Sequence, residues 1–169
     1  MQETIARYVG SLTIGRDKDD LFKLFNALGD RLSSQALKAG TLAIATVTQN
    51  VKLTNTIQVV ANGVYVSRAA ADPIFTLTAA HSVAINQFNV LCLYCDSAGT
   101  VSGKMGIPGA SAAAVKFPEA PVGQAMIGFL MISAGANVFT GGTTALTGGT
   151  VTVTYVDVTG AFDPTVILS

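Results

Sequence analysis

FNVLCLYC-DSAG-TVS, residues 88–102, is the stretch whose reading decides the fold. Phe88 to Cys95 is an almost unbroken apolar run of strand length, which predicts a strand covered on both faces. Asp96-Ser97-Ala98-Gly99 is a turn, and Thr100-Val101-Ser102 resumes the extended pattern, so the segment predicts a hairpin. Downstream, Met126 to Ser133 is apolar on both alternating faces and predicts a second central strand. Val151-Thr152-Val153-Thr154-Tyr155 alternates, with one face buried and the threonine face solvated or paired. Gly141-Gly142 and Gly148-Gly149 read as tight turns.

Upstream, residues 43–48 are strand-like. Ile57-Gln58-Val59-Val60 and Val64-Tyr65-Val66 flank Asn62-Gly63, a strong hairpin signal. Asp72-Pro73 is expected to break the chain before Ile74-Phe75-Thr76-Leu77-Thr78. Residues 110–115 are small and apolar. They lead into a connector framed by Pro118 and Pro121, which holds no interior strand and is expected to lie along a neighbouring strand or a subunit boundary. Short strands at this spacing, from the first β run near residue 41 to Asp157, predict a mainly β chain built as an antiparallel sandwich or barrel.

The first forty residues differ. Most of the charge lies there, including Arg16, Asp17, Lys18, Asp19, Asp20, Lys23, Asp30, Arg31 and Lys38. Asp17 suits an N-cap, and Asp19 and Asp20 suit the positive end of a helix. Leu21, Phe25, Leu28 and Leu32 then recur at spacings of four and three and form one apolar stripe. Lys38 is expected in the last helical turn and Gly40 at the C-cap. The stripe either docks on its own β domain or packs as a seam against neighbouring subunits. The expected division is residues 1–40 as arm and amphipathic helix, and residues 41–169 as β domain with a short tail.

Composition narrows the function. Half the chain is hydrophobic (50%) and only 12% is charged, against about 25% charged in ordinary soluble domains. Such a chain is expected to hide surface against copies of itself or a larger assembly. Net charge is zero, with no basic excess to neutralise phosphates, so nucleic acid is not an expected partner. The longest apolar run, residues 125–136, is too short and too broken to span a bilayer. The N-terminus lacks the pattern of a signal peptide, so a cytosolic product is expected.

No constellation of catalytic residues is legible. Cys92 and Cys95 have CxxC spacing, but residues three apart on a strand point to opposite faces, and no second ligand pair accompanies them. They are expected to be buried, metal-free thiols. His81 is the single histidine, without a nucleophile and orienting partner in the pattern of a triad. Asp72, Asp96, Glu119 and Asp157 are scattered. The expectation is no enzyme: no catalytic, cofactor-binding or metal-binding residues and no cofactor. The candidate functional residues are the helix face Leu21, Phe25, Leu28 and Leu32, as a partner-binding surface.

Three stretches resemble small structural proteins of tailed-phage virions, the capsid decoration (cement) proteins and the bases of head or tail fibres. They are residues 71–79 (ADPIFTLTA), residues 90–101 (VLCLYCDSAGTV), and residues 118–130 (PEAPVGQAMIGFL) with 139–146 (FTGGTTAL). The resemblance implies a jelly-roll-like antiparallel β-sandwich, homotrimeric assembly and no catalysis. It implies a subunit assembled in the host cytoplasm that binds a major capsid protein, or another virion protein, on the outer capsid surface. A tail, collar or fibre-attachment subunit shares the same features. A receptor- or carbohydrate-binding module is a further alternative, but there is no Trp, and Tyr8, Tyr65, Tyr94 and Tyr155 do not cluster in sequence.

Overall fold

The hairpin read from residues 88–102 is the centre of the molecule. In the structure, a computed structural model, the described residues are 21, 22, 25, 29, 32–149 and 151–160. The strands among them are β1 (Gln35–Lys38), β2 (Leu42–Ile44), β3 (Asn50–Leu53), β4 (Ile57–Ala61), β5 (Val64–Arg68), β6 (Ala71–Thr76), β7 (Phe88–Cys95), β8 (Val101–Met105), β9 (Ala125–Ala134) and β10 (Val151–Asp157). They form three antiparallel sheets, ordered β10-β9-β7-β8, β1-β4-β5 and β2-β3-β6.

β7 and β9 are buried on both faces because their sequences are apolar on both. Leu91, Leu93 and Cys95 of β7 enter the main core, which all three sheets line. Val90, Cys92 and Tyr94, on the opposite face, enter a second core with Phe129 and Val115. On β9 the inward phase changes partway along. Ala125 and Ile127 face the main core at odd positions; Leu130, Ile132 and Ala134 face it at even ones. A β-bulge produces the change: Leu93 pairs with Gly128 but Tyr94 pairs with Met126, leaving Ile127 as the extra residue.

The residue after the bulge has to be glycine. A Cβ on Gly128 would collide with the Leu42 side chain and the Val156 carbonyl. Its hydrogen lets β2 approach β10, and the Leu42 N–H donates to Asp157 Oδ1 at 2.9 Å. The connector between β8 and β9 covers the second core. It is laced to β7 by the reciprocal Phe88–Gly109 bonds of 2.8 and 2.9 Å. Phe117 then meets Phe129 edge-on, with ring centroids 5.0 Å apart. The connector thus lies along a neighbouring strand of its own chain.

Three local expectations are corrected. Lys38 is not in a helix: residues 35–38 form β1, paired with β4, and the strands begin before Gly40. Ala36 is buried in the main core, and cross-strand pairing outweighs the helical propensity of this short segment. Gly40 is packed beneath Ile57 and Leu53 rather than capping a helix. Asp72-Pro73 does not end a strand either; it lies inside β6, with a cis peptide bond. β6 is an edge strand whose pairing with β3 is irregular between Val51 and Leu53, and such a place tolerates a residue without an N–H. The strand-like run at residues 43–48 is shorter than expected, since β2 ends at Ile44.

The Asn62-Gly63 hairpin forms as read, with φ of 52° and 75°. Both central residues are left-handed, as a type I′ turn requires. Residues 21, 22, 25, 29, 32 and 33 are helical; the expected N-cap Asp17 and the stripe residue Leu28 lie outside the described residues. Leu130 pairs with Leu91 across the middle of the sheet and is fully buried. Leu130→Ala is expected to lower unfolding stability by about 2–5 kcal/mol, read as a drop in the urea midpoint at unchanged slope.

Candidate interaction surface

The polar groups inside the β domain are used for architecture. The Asp72 carboxylate accepts from the Thr46 N–H at 3.0 and 3.1 Å and from Thr46 Oγ1 at 2.7 Å. These bonds hold its pKa below the ordinary value, helped by Lys52 at 3.8 Å. Asp96 Oδ1 accepts the Ala98 and Thr100 N–H groups and shapes the β7–β8 turn. Asp157 holds β2, as above. Each of these three carboxylates is committed to backbone donors in a different part of the fold. Among the described residues, no three His, Cys, Asp or Glu side chains gather so as to hold a metal ion. No described helix is long and apolar enough to cross a membrane.

Cys92 and Cys95 are buried free thiols on opposite faces of β7, one in each core. The sheet itself separates the two sulfurs. Burial raises Cys92 to about 12 despite a hydrogen bond with Tyr94. Burial and the nearby Asp96 raise Cys95 to about 11. A thiol at these values carries almost no thiolate near neutrality, and thiolate is the reactive form. Burial also raises Tyr94 and Tyr155, the latter to about 12.

His81 closes a 3-10 turn, Ala79–His81, and its Nδ1 accepts the Thr78 N–H at 3.0 Å. That bond places the ring proton of the neutral imidazole on Nε2. The ring lies edge-on to Phe75, with centroids 5.2 Å apart. Burial lowers its pKa from 6.5. Protonation at Nδ1 would set a donor against a donor, so the site fits the neutral ring. Among the described residues, no hydrogen bond places a nucleophile on Nε2.

What remains is surface. Of the four residues read as a partner-binding face, Phe25 is 37% and Leu32 56% exposed. Leu21 is half-buried and Leu28 lies outside the described residues. Phe22, which the stripe did not include, is 49% exposed. Phe22, Phe25 and Leu32 follow one another at spacings of three and seven, which in the sequence are same-face spacings of an α-helix. These side chains are exposed, and among the described residues neither core contains one before Ala36.

The helix joins the β body at the β4–β5 turn. The Gly63 N–H donates to the Ser33 carbonyl at 2.8 Å, and the Asn62 N–H to Ser34 Oγ at 3.0 Å. Further apolar side chains flank the same turn. Val64 and Tyr65 are exposed on β5, and Val122 is 86% exposed beside Gly123, which packs on Asn62. Leu32, Val64, Tyr65 and Val122 are thus exposed apolar residues next in sequence or close to the groups that meet at this turn. Sequence reasoning missed the last three: alternation shows that a strand has a covered face, not that the strand lies at an edge. No family model, no curated protein and no solved structure matches this chain.

Two outcomes follow from the titrating groups. Thiol-reactive probes at about pH 8 are expected to leave Cys92 and Cys95 unmodified in the native protein and to label both after denaturation; rapid native labelling contradicts the burial assigned here. His81 has a depressed native pKa, so its contribution to stability is present above 6.5 and is lost as pH falls through the lowered native value. Acidification from about pH 7 to pH 5 is expected to destabilise the wild type more than His81→Gln, measured as urea midpoints.

Proposed function

We propose that this protein is a non-enzymatic virion structural subunit: a homotrimeric decoration, or cement, protein that binds the outer surface of a capsid and stabilises it. The observation that carries the reading is the exposure of the apolar helical residues Phe22, Phe25 and Leu32, none of which belongs to either core. A short amphipathic helix is marginal alone. Covering each such side chain is worth about 1.5–3 kcal/mol, and the surface that covers them is, in this reading, another virion protein.

The low charge and the exposed apolar residues support assembly in the same way. The three antiparallel sheets support a jelly-roll-like sandwich, with β10-β9-β7-β8 as one layer and the two three-stranded sheets as the other. The arm then ends before β1, which belongs to the sandwich. Trimerisation through the β body presents three helix faces together, so that weak single contacts add through avidity. The subunit is made in the host cytoplasm and carried on the particle.

Truncating residues 1–40 would remove β1, so the test uses the full chain. Light scattering is expected to return a mass that is a multiple of three chains. Phe25→Glu with Leu32→Glu is expected to keep that mass and the wild-type melting temperature, and to lower particle occupancy at least about tenfold. A one- or two-chain mass overturns the trimer. Full occupancy by the double variant, or a labelled subunit found on the tail in images of particles, overturns the capsid-binding assignment.

A further inference from the structure

After β6 the chain folds into the 3-10 turn Ala79–His81, and residues 140–142 rest on that turn, backbone against backbone. A Cβ on Gly141 would collide with the Thr78 carbonyl, and one on Gly142, whose φ is 78°, with the Leu77 carbonyl. The segment is anchored on both sides of this contact. Phe139 and Leu146 are buried in the main core. Phe139 exchanges two backbone hydrogen bonds of 2.9 Å with Val83, and the Leu146 N–H donates to the Thr48 carbonyl at 2.8 Å. Between the anchors the hold is weaker. Among the described residues, one hydrogen bond joins residues 140–142 to the turn, from the Gly141 N–H to Ser82 Oγ at 3.4 Å. Ser82 Oγ in turn donates to the Ala79 carbonyl at 2.7 Å. The place of Gly141 therefore depends on the shape of the turn.

His81 sets that shape. Its N–H donates to the Thr78 carbonyl at 2.9 Å, and its Nδ1 accepts the Thr78 N–H at 3.0 Å and lies 3.1 Å from Thr78 Oγ1. Phe75 backs the ring edge-on, and Gly103 of β8 packs on Phe75 in turn. His81 is the one ionisable side chain in residues 77–83 and 139–146. The charged side chains of the neighbouring strands are engaged elsewhere. Asp72 of β6 is held by Thr46 and by Lys52 of β3, and Lys104 of β8 by the Glu119 carbonyl. None of these charges is among the causes that move the His81 pKa, of which burial is the first.

We infer that His81 is an acid-operated latch: a solvent proton taken up on Nδ1 breaks its bond with the Thr78 N–H and releases residues 140–142 from the turn, while Phe139 and Leu146 stay anchored. The imidazolium carries a donor on both nitrogens, and two N–H groups cannot share one hydrogen bond. Either the ring swings off Thr78 or the turn unwinds. Both movements shift the Thr78 and His81 carbonyls on which Gly141 rests. Burial opposes the charged ring as well, so the closed form is favoured above pH 6.5 and gives way as pH falls through the lowered native value. Because the flanking anchors involve no ionisable group, the opening is local.

The latch lies within one chain, so it goes beyond the proposed function and does not depend on it. NMR of the full chain, from about pH 7.5 to about pH 4.5, reads the ring and the backbone together. The His81 ring nitrogens are expected to show a neutral ring at the upper end and protonation with a midpoint below 6.5. The Gly141 and Gly142 amide signals are expected to shift with the same midpoint. Amide exchange, corrected for its intrinsic pH dependence, is expected to quicken about threefold or more at residues 140–142 and to stay unchanged in β7 and β9. His81→Asn, whose Oδ1 accepts the Thr78 N–H and does not titrate, is expected to abolish the acid response; His81→Gln serves if that variant fails to fold. Gly141 and Gly142 signals that stay fixed through a complete ring titration overturn the inference. So does the same acid response in a folded variant, a ring still neutral at the lowest pH, or a loss of protection in β7 and β9 together with residues 140–142.

Discussion

The pairing of β7 with β9 is the constraint on which the rest of the structure depends. Leu91 faces Leu130 and Cys92 faces Phe129 in the middle of the ladder, and both strands are covered on both sides. Two apolar faces cannot be satisfied by one layer of neighbours. The β1-β4-β5 and β2-β3-β6 sheets cover one side, and the connector with Val115 and Phe117 covers the other. The bulge at Ile127 sets the phase of β9, and Gly128 after it admits Leu42. A small covalent feature, the missing Cβ of one glycine, thereby allows β2 and β10 to be stitched together at Asp157.

The polar residues follow from this economy. Three carboxylates of the β domain are tied to backbone groups. Asp72, Asp96 and Asp157 each take backbone N–H groups that a loop or an edge would otherwise leave without partners. His81 does the same for the Thr78 N–H. These four side chains fasten turns, loops and strands. The cysteines are the apolar counterpart: they are part of the packing, and their protonation follows from burial.

The outside of the molecule is organised as simply as the inside. Val64 and Tyr65, two of the apolar side chains that the cores do not use, flank the Asn62-Gly63 turn, where the chain also arrives through Ser33 and Ser34. A low-charge surface with such exposed residues suits a protein that spends its working life covered by neighbours. The functional reading rests on these exposed apolar residues.

Much of this was legible from residue order. Period and punctuation located β4, β5, β7, β8, β9 and β10, because each is long enough, or sharply enough bounded by turns, to show its pattern locally. CxxC on a strand already implied two separated sulfurs. The sequence by itself therefore determined a mainly β chain with a doubly covered centre and most of its turns. It did not determine β1, four residues that pass for the end of a helix until β4 is alongside them, nor the passage of β6 through Pro73, which an edge position permits. It did not show which strands are edges, why Gly128 is a glycine, or that Phe25 and Leu32 face outward. Those properties depend on contacts between residues far apart in the chain, and strand pairing is non-local: a segment of three to six residues gains its conformation from its partner, not from its own sequence.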